Sequence, residues 1–322
     1  MFPKTRKLAD GLEIPLMGLG TSRILTIIEN EGTPQEKIIQ TPADVVYHSI
    51  KSGVRLIDTA YKYGNEEYIG KGIKRALDEG ICKREDLIII GKVWLKFRKD
   101  PKKALEETLQ KLQLDYIDIY MDHWPSGIDY RKDPKDDRFE MVSIYDFWPK
   151  MEQLVELGLA RSLGVSNYNI QCLCNLLSFC KTRPVVNEIE YHLFFIQKKL
   201  KEFCEKQNIA VIAYYPMPYG NGAKMFIKKG NKDFYIFENE LVLKLSKKYD
   251  KTPGQIILNW HLCQGTIPIP STSKLYRMEE NLQALDFKME EKDIEELSSR
   301  LKQMSLKKFC GCERFFGINV LA

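Results

Sequence analysis

Eight β-rich segments, separated by stretches long enough to cross back over a sheet, constrain this 322-residue chain more than any other feature. They run Leu16 to Gly20, Val54 to Thr59, Leu87 to Val93, Tyr116 to His123, Arg161 to Val165, Val185 to Glu190, Ile209 to Tyr214 and Thr266 to Ile269. Helical-period stretches lie between them, among them Glu66 to Glu79, Pro101 to Leu112, Tyr145 to Leu157 and Thr252 to Cys263. Parallel strands need such crossovers, because a tight turn joins only antiparallel neighbours. Strand and helix alternating eight times over point to a closed α/β barrel, the (β/α)8 TIM fold, rather than an open doubly wound sheet.

No Gly/Ser-rich or Pro-rich bridge divides the chain, so residues 1–322 read as a single domain. A barrel of this kind uses about 250 residues, and the surplus must lie in additions. The Asp10-Gly11 turn signal predicts an N-terminal β-hairpin that plugs one end. The other additions are placed at Ser22 to Thr41, at Pro125 to Phe147, in a loop and extra helix between Pro216 and Tyr249, and in a tail beyond Glu290.

A Rossmann alternative fails on its signature. Gly18-Leu19-Gly20-Thr21-Ser22-Arg23 lacks the third glycine and lies too close to the hairpin to open a helix. The formal charge of +5 comes from 49 basic and 44 acidic residues mixed along the chain, which argues against nucleic acid as a partner. No apolar leader or membrane-length stretch is visible, so the expected address is the cytoplasm, with no membrane partner. Eight cysteines without a Cys-x-x-Cys pair are expected as reduced thiols, including Cys310 and Cys312 in the tail. His48, His192 and His261 form no metal-ligand spacing, so no metal is expected.

Asp58, Tyr63, Lys92 and His123 fall at or just beyond the C-terminal ends of three successive predicted strands. That end of the barrel is where this fold keeps its chemistry, and the four together read as a proton-donating site. Singly they have plainer readings: a barrel-end ion pair for Asp58 and Lys92, a loop aromatic for Tyr63, a satisfied core imidazole for His123.

Their sequence context decides between these readings. Gly18-Leu19-Gly20-Thr21, Asp58-Thr59-Ala60 with Tyr63-Gly64-Asn65-Glu66, Lys92 before Trp94, His123-Trp124-Pro125, Gly164-Val165-Ser166-Asn167, and Ala213-Tyr214 before Pro216 stand in order along the chain. In these blocks the chain resembles the aldo-keto reductase superfamily over nearly its whole length. The run Tyr61 to Glu66 with Gly72 to Ala76 is similar to aldose and xylose reductases.

The resemblance implies an oxidoreductase that reduces aldehyde, ketone or sugar carbonyls with NADPH, NADH being a second possible donor. Tyr63 would be the general acid, Lys92 would ease its proton release, Asp58 would pair with Lys92, and His123 would orient the substrate carbonyl. The small-molecule substrate would sit between Tyr63, His123, Trp94 and Trp124, with Phe315 and Phe316 as further walls. For the cofactor, Gly20, Thr21 and Asp58 would be among the contacts, with Glu188 beside the nicotinamide carboxamide. Ser166 and Asn167 would hold its carboxamide, Tyr214 would stack on its face, and Tyr215 follows. Ser271, Thr272, Arg277, Glu280 and Asn281 match the adenosine-end contacts, with Arg277 gripping the 2′-phosphate. A monomer is expected, a dimer remaining open, because no dimerisation element is evident.

The chain also departs from the pattern. Ser271 stands where a lysine is usual, which predicts a weaker preference for NADPH. Glu188 stands where a glutamine is common; if ionised, it would favour the cationic oxidised cofactor and alcohol oxidation, the alternative being that it turns to a nearby cation and leaves the nicotinamide alone. Ser22 replaces a pocket tryptophan, and Tyr215 a small residue. Asp122 is unusual in its strand and is expected to point away from the lumen, into a buried ion pair. Some proteins of this fold serve as cofactor-binding regulatory or structural proteins with little turnover, and that is the competing class.

Overall fold

Successive residues of the central strands face opposite ways, and this alternation builds two apolar layers from one sheet. Leu56, Ile88, Ile90, Ile119, Met121, Val186, Ile212 and Ile267 point inward and form one cluster. Ile57, Ile89, Tyr120, Leu163, Val165 and Val211 point outward and pack with Val45, Ile69, Leu105, Met151 and Leu173 from the surrounding helices. The computed structural model describes residues 1–22, 24, 41–126, 142–218 and 235–302, the side chains of 300–302 excepted.

A hairpin of β1 (Thr5–Lys7) and β2 (Glu13–Pro15) comes first. Leu8, Leu12 and Ile14 are buried in the inward-facing cluster, so the hairpin closes one end of the barrel as expected. Gly11, at φ 97°, turns the chain between its strands. The barrel strands are β3 (Leu19–Gly20), β4 (Leu56–Asp58), β5 (Ile88–Val93), β6 (Ile117–Asp122), β7 (Ala160–Ser166), β8 (Val186–Glu190), β9 (Ala210–Tyr214) and β10 (Ile267–Pro268). Each pairs in parallel with the next in sequence order.

The first and last strands meet through the amides of Gly18 and Gly20, which donate to the carbonyls of Pro268 and Pro270 at 3.1 Å each. A Cβ on Gly20 would lie 2.6 Å from the Ile269 carbonyl oxygen, so this approach requires glycine. The eight strands thus curl into the (β/α)8 arrangement.

The return helices are α1 (Pro42–Lys51), α2 (Glu66–Asp78), α3 (Pro101–Leu112), α4 (Ile144–Glu156), α5 (Ile170–Leu177), α6 (Lys198–Lys206), α7 (Glu240–Tyr249), α8 (Pro253–Cys263), α9 (Leu275–Leu282) and α10 (Glu291–Lys302). Local signals fix several starts. Thr41 and Thr252 form capping boxes with Asp44 and Gln255, Asp100 caps α3, and a proline opens each of these three helices. The expected extra helix before Tyr249 is α7. Most of the other expected additions, with Cys310, Cys312, Phe315 and Phe316, lie outside the described residues.

Asp122 points outward, as strand alternation requires. It pairs with Arg98 and accepts from the Tyr168 hydroxyl at 2.7 Å, all three groups buried. Arg98 also donates to the Val142 carbonyl and lies 4.3 Å from the Phe147 ring centre, tying β6 to α4.

Candidate active site

The inward row changes character one step towards the C-terminal ends of the strands. Leu56 is followed two residues on by Asp58, Ile90 by Lys92, Met121 by His123, Val186 by Glu188 and Ile212 by Tyr214. With a side-chain period of two, a polar layer caps the apolar one at the open end of the barrel.

Lys92 is fully buried at the centre of this layer. Its ammonium pairs with Asp58, donates to the Thr59 carbonyl at 3.3 Å and to the Tyr63 hydroxyl at 3.3 Å, and lies 3.3 Å from Glu188 Oε2. The approach to Glu188 is an ionic contact without the alignment of a hydrogen bond. Burial disfavours the charge on Lys92, but Asp58 and Glu188 outweigh it and hold the ammonium above the ordinary lysine range. Burial raises the proton affinity of both Asp58 and Glu188, and the charge of Asp58 raises Glu188 further.

Tyr63 sits in a short 3-10 turn, Tyr61–Tyr63, ended by Gly64 in the left-handed region at φ 67°. Burial pushes its hydroxyl upward. Lys92 pulls down in the expected direction, while Asp58 and Glu188 oppose that pull. The net result is a phenol that keeps its proton, whereas the lysine alone would predict an acidified one.

His123 is 8% exposed, and its ring meets Tyr63 and Trp94 edge-on at 5.7 and 5.4 Å. Burial first, then the charges of Lys92 and Lys62, keep its pKa well below the ordinary value, so the imidazole is neutral. Its Nδ1 has no hydrogen-bond partner among the described residues. A neutral imidazole beside a protonated phenol can hold and protonate a carbonyl oxygen, and the pair stands at the mouth of a barrel.

The matches to known proteins follow this geometry. The aldo/keto reductase family model matches residues 17–302. An NAD(P)H-dependent D-xylose reductase of Pyricularia oryzae is 35% identical over 317 residues, covering 93% of each chain. The chain belongs to the aldo/keto reductase family. Aldose reductase C of Dictyostelium discoideum is also 35% identical, over 91% of this chain and 88% of its own. Among solved structures, Schistosoma japonicum aldose reductase superposes with a TM-score of 0.81 at 30% identity, covering 98% and 97% of the two chains. A Bombyx mori aldo-keto reductase in complex with NADP gives 0.82 at 32% identity, with the same coverage.

In this aldo/keto reductase the expected carboxamide pair lies across the lumen from Tyr63's strand end. Asn167 adopts φ 63°, uncommon outside glycine and tolerated by asparagine. Its Nδ2 donates to the His123 carbonyl and to Ser166 Oγ, both at 3.0 Å, and its Oδ1 accepts from the Tyr214 hydroxyl at 2.8 Å. Ser166 Oγ donates to the Glu188 carbonyl at 3.0 Å. Ser166, Asn167, Glu188 and Tyr214 are therefore one connected unit. Tyr215 takes φ 54° and turns towards His192, 6.2 Å between ring centres.

Around the last strand, Thr21 is buried with no hydrogen-bond partner for its Oγ1 among the described residues, and Ser271 Oγ donates to the Gly20 carbonyl. Thr272 Oγ1 accepts from the Lys274 amide at 3.1 Å. Glu280 accepts from Thr252 Oγ1 at 2.5 Å, and Asn281 lines a small cleft with Thr272 and Met278. Arg277 is half-buried, with its guanidinium 5.7 Å from the Tyr276 ring centre. Trp94 and Trp124 are both 3% exposed and form a cluster with Leu95, Tyr61 and Phe97.

Sequence reasoning missed Lys62. Its ammonium lies 4.9 Å from the Trp94 ring centre, and the only available signal was its position beside Tyr63. Glu188 turns to a nearby cation, the alternative that its sequence position allowed, and the cation it reaches is Lys92. Among the described residues no group of His, Cys, Asp and Glu could hold a metal ion, and no helix is long and apolar enough to cross a membrane.

Proposed function

We propose that this protein reduces aldehyde and ketone carbonyls, sugars among them, to alcohols with NADPH, and that Tyr63 delivers the proton. The observation that carries the reading is the Tyr63 hydroxyl 3.3 Å from an ammonium that is ion-paired to Asp58. The residues suit the cofactor: Ser166, Asn167 and Tyr214 form one hydrogen-bonded unit of amide and hydroxyl groups that would hold its carboxamide end, and the half-buried Arg277 would meet its 2′-phosphate. Bound NADPH supplies the hydride.

The chain's own residues do the rest. His123, uncharged, donates to the carbonyl oxygen and fixes its orientation. Tyr63 gives its proton to the same oxygen as negative charge develops there, and Lys92 stabilises the phenolate left behind. Asp58 keeps the ammonium charged and in place. The xylose- and aldose-reductase relatives support sugars and related small aldehydes as the substrate class.

NADPH oxidation, followed by nicotinamide absorbance across aromatic aldehydes, aldoses and ketones, tests the proposal. Turnover in the wild type that collapses in Tyr63→Phe, with NADPH still bound, is the expected result. A wild type that binds NADPH but turns over none of the panel would favour a cofactor-binding regulatory role.

A further inference from the structure

The mouth of the site carries cations that no carboxylate among the described residues offsets. Lys62 is exposed and adjoins Tyr63, with its ammonium over the Trp94 ring that meets His123 edge-on. In the same cluster, Lys96 donates to the Tyr61 hydroxyl at 2.9 Å and lies 4.6 Å from the Phe97 ring centre. The neighbouring acids are already engaged: Asp58 and Glu188 with Lys92, Glu66 with Thr108 and Lys111, Asp122 with Arg98. What remains is an apolar cluster of Tyr61, Trp94, Leu95, Phe97 and Trp124 with Lys62 against Trp94 and Lys96 against Tyr61 and Phe97.

Resting on the reductase reading, we propose that Lys62 determines specificity and that the site selects carbonyl compounds whose apolar body carries an anionic group, a carboxylate or a phosphate. The aromatic wall would take the body of such a molecule, with its carbonyl at Tyr63 and His123 and its anion at Lys62. The charge of Lys62 is felt within the site, since it contributes to keeping His123 neutral. A merely structural Lys62, stacked on Trp94, would contribute equally to substrates with and without charge.

The test compares kcat/KM for para-carboxybenzaldehyde and para-methylbenzaldehyde with NADPH, in wild type, Lys62→Met and Lys62→Glu. Glyceraldehyde phosphate against glyceraldehyde separates phosphate from carboxylate as the preferred anion. The expected result is a preference for the charged aldehyde that falls about twofold to fivefold in Lys62→Met, the range of an exposed ion pair. The preference should fall further in Lys62→Glu and shrink with added salt. A ratio that is the same in all three proteins overturns the assignment while leaving the reductase reading intact. No turnover of either benzaldehyde by a wild type that binds NADPH overturns both.

Discussion

Glu188 Oε2 lies 3.3 Å from Lys92 Nζ, so the ammonium is shared between two buried carboxyls, Asp58 being the other. Two carboxylates and one ammonium in a dry pocket would leave a net negative charge. The cheaper arrangement keeps a proton on one of them. Burial first, then the charge of Asp58, pushes Glu188 up to about 8, against the pull of Lys92.

The pH dependence follows in sign. Glu188 moves from 4.5 in an unfolded chain to about 8 in the folded one, so the folded state binds more protons between those values. Stability is full below the lower value and is lost as pH rises through the upper one. Glu188→Gln should therefore lose less stability than wild type across this interval, measured by denaturant unfolding at a series of pH values. Parallel curves would show that Glu188 ionises normally.

The same proton should set the balance between the two cofactor forms. Above about pH 8, ionised Glu188 adds negative charge that favours cationic NADP+ and raises Tyr63 further, slowing reduction. The ratio of NADPH to NADP+ dissociation constants should climb with pH in wild type and stay flat in Glu188→Gln. A ratio that climbs equally in both would place the titration elsewhere.

Removing the acid or its cation should act on chemistry rather than on cofactor binding. Tyr63→Phe and Lys92→Met should each lower kcat by at least about 100-fold, the low end for general acid catalysis, with NADPH affinity nearly kept. Asp58→Asn should cost less than an orphaned buried ammonium normally does, because Glu188 remains in contact with Lys92 and can ionise in its place. The double variant Asp58→Asn with Glu188→Gln should then lose far more than the two single changes together.

The Arg98–Asp122 pair is the strongest stability prediction. Both side chains are almost wholly buried, and breaking such a pair from one side costs about 3–5 kcal/mol. Asp122→Asn should show a drop of that order in the free energy of unfolding, with KM for the carbonyl substrate little changed. A loss under about 1 kcal/mol would show the pair to be dispensable.

Cofactor choice should depend on Arg277. With Ser271 turned onto the Gly20 carbonyl, the position where a lysine is usual supplies no cation. Arg277→Ala should weaken NADPH binding about tenfold to 100-fold, the range of a charge-assisted hydrogen bond, and NADH binding hardly at all. Lys274→Ala tests the remaining cation of that loop. A large NADPH preference surviving Arg277→Ala would refute the assignment of this arginine.

The barrel was legible because its instructions are local. Alternating strands, crossover helices and proline-led caps each act within a few residues, and the C-terminal strand ends carry their polar residues two positions beyond an apolar one. Asp58, Tyr63, Lys92 and His123 could be found that way, and so could the outward turn of Asp122. The pairing of Asp58 with Lys92 was expected from the resemblance, but the contacts made across the lumen were not legible. Lys92 on β5 and Glu188 on β8 are separated by two intervening strands and meet only across the lumen. Lys62 reaches Trp94 from a different strand end, and burial rather than the nearby lysine governs Tyr63. Residue type and spacing set which groups stand at the mouth of the barrel. Closure of the sheet sets their distances and removes their water, and on those two quantities charge and proton affinity depend.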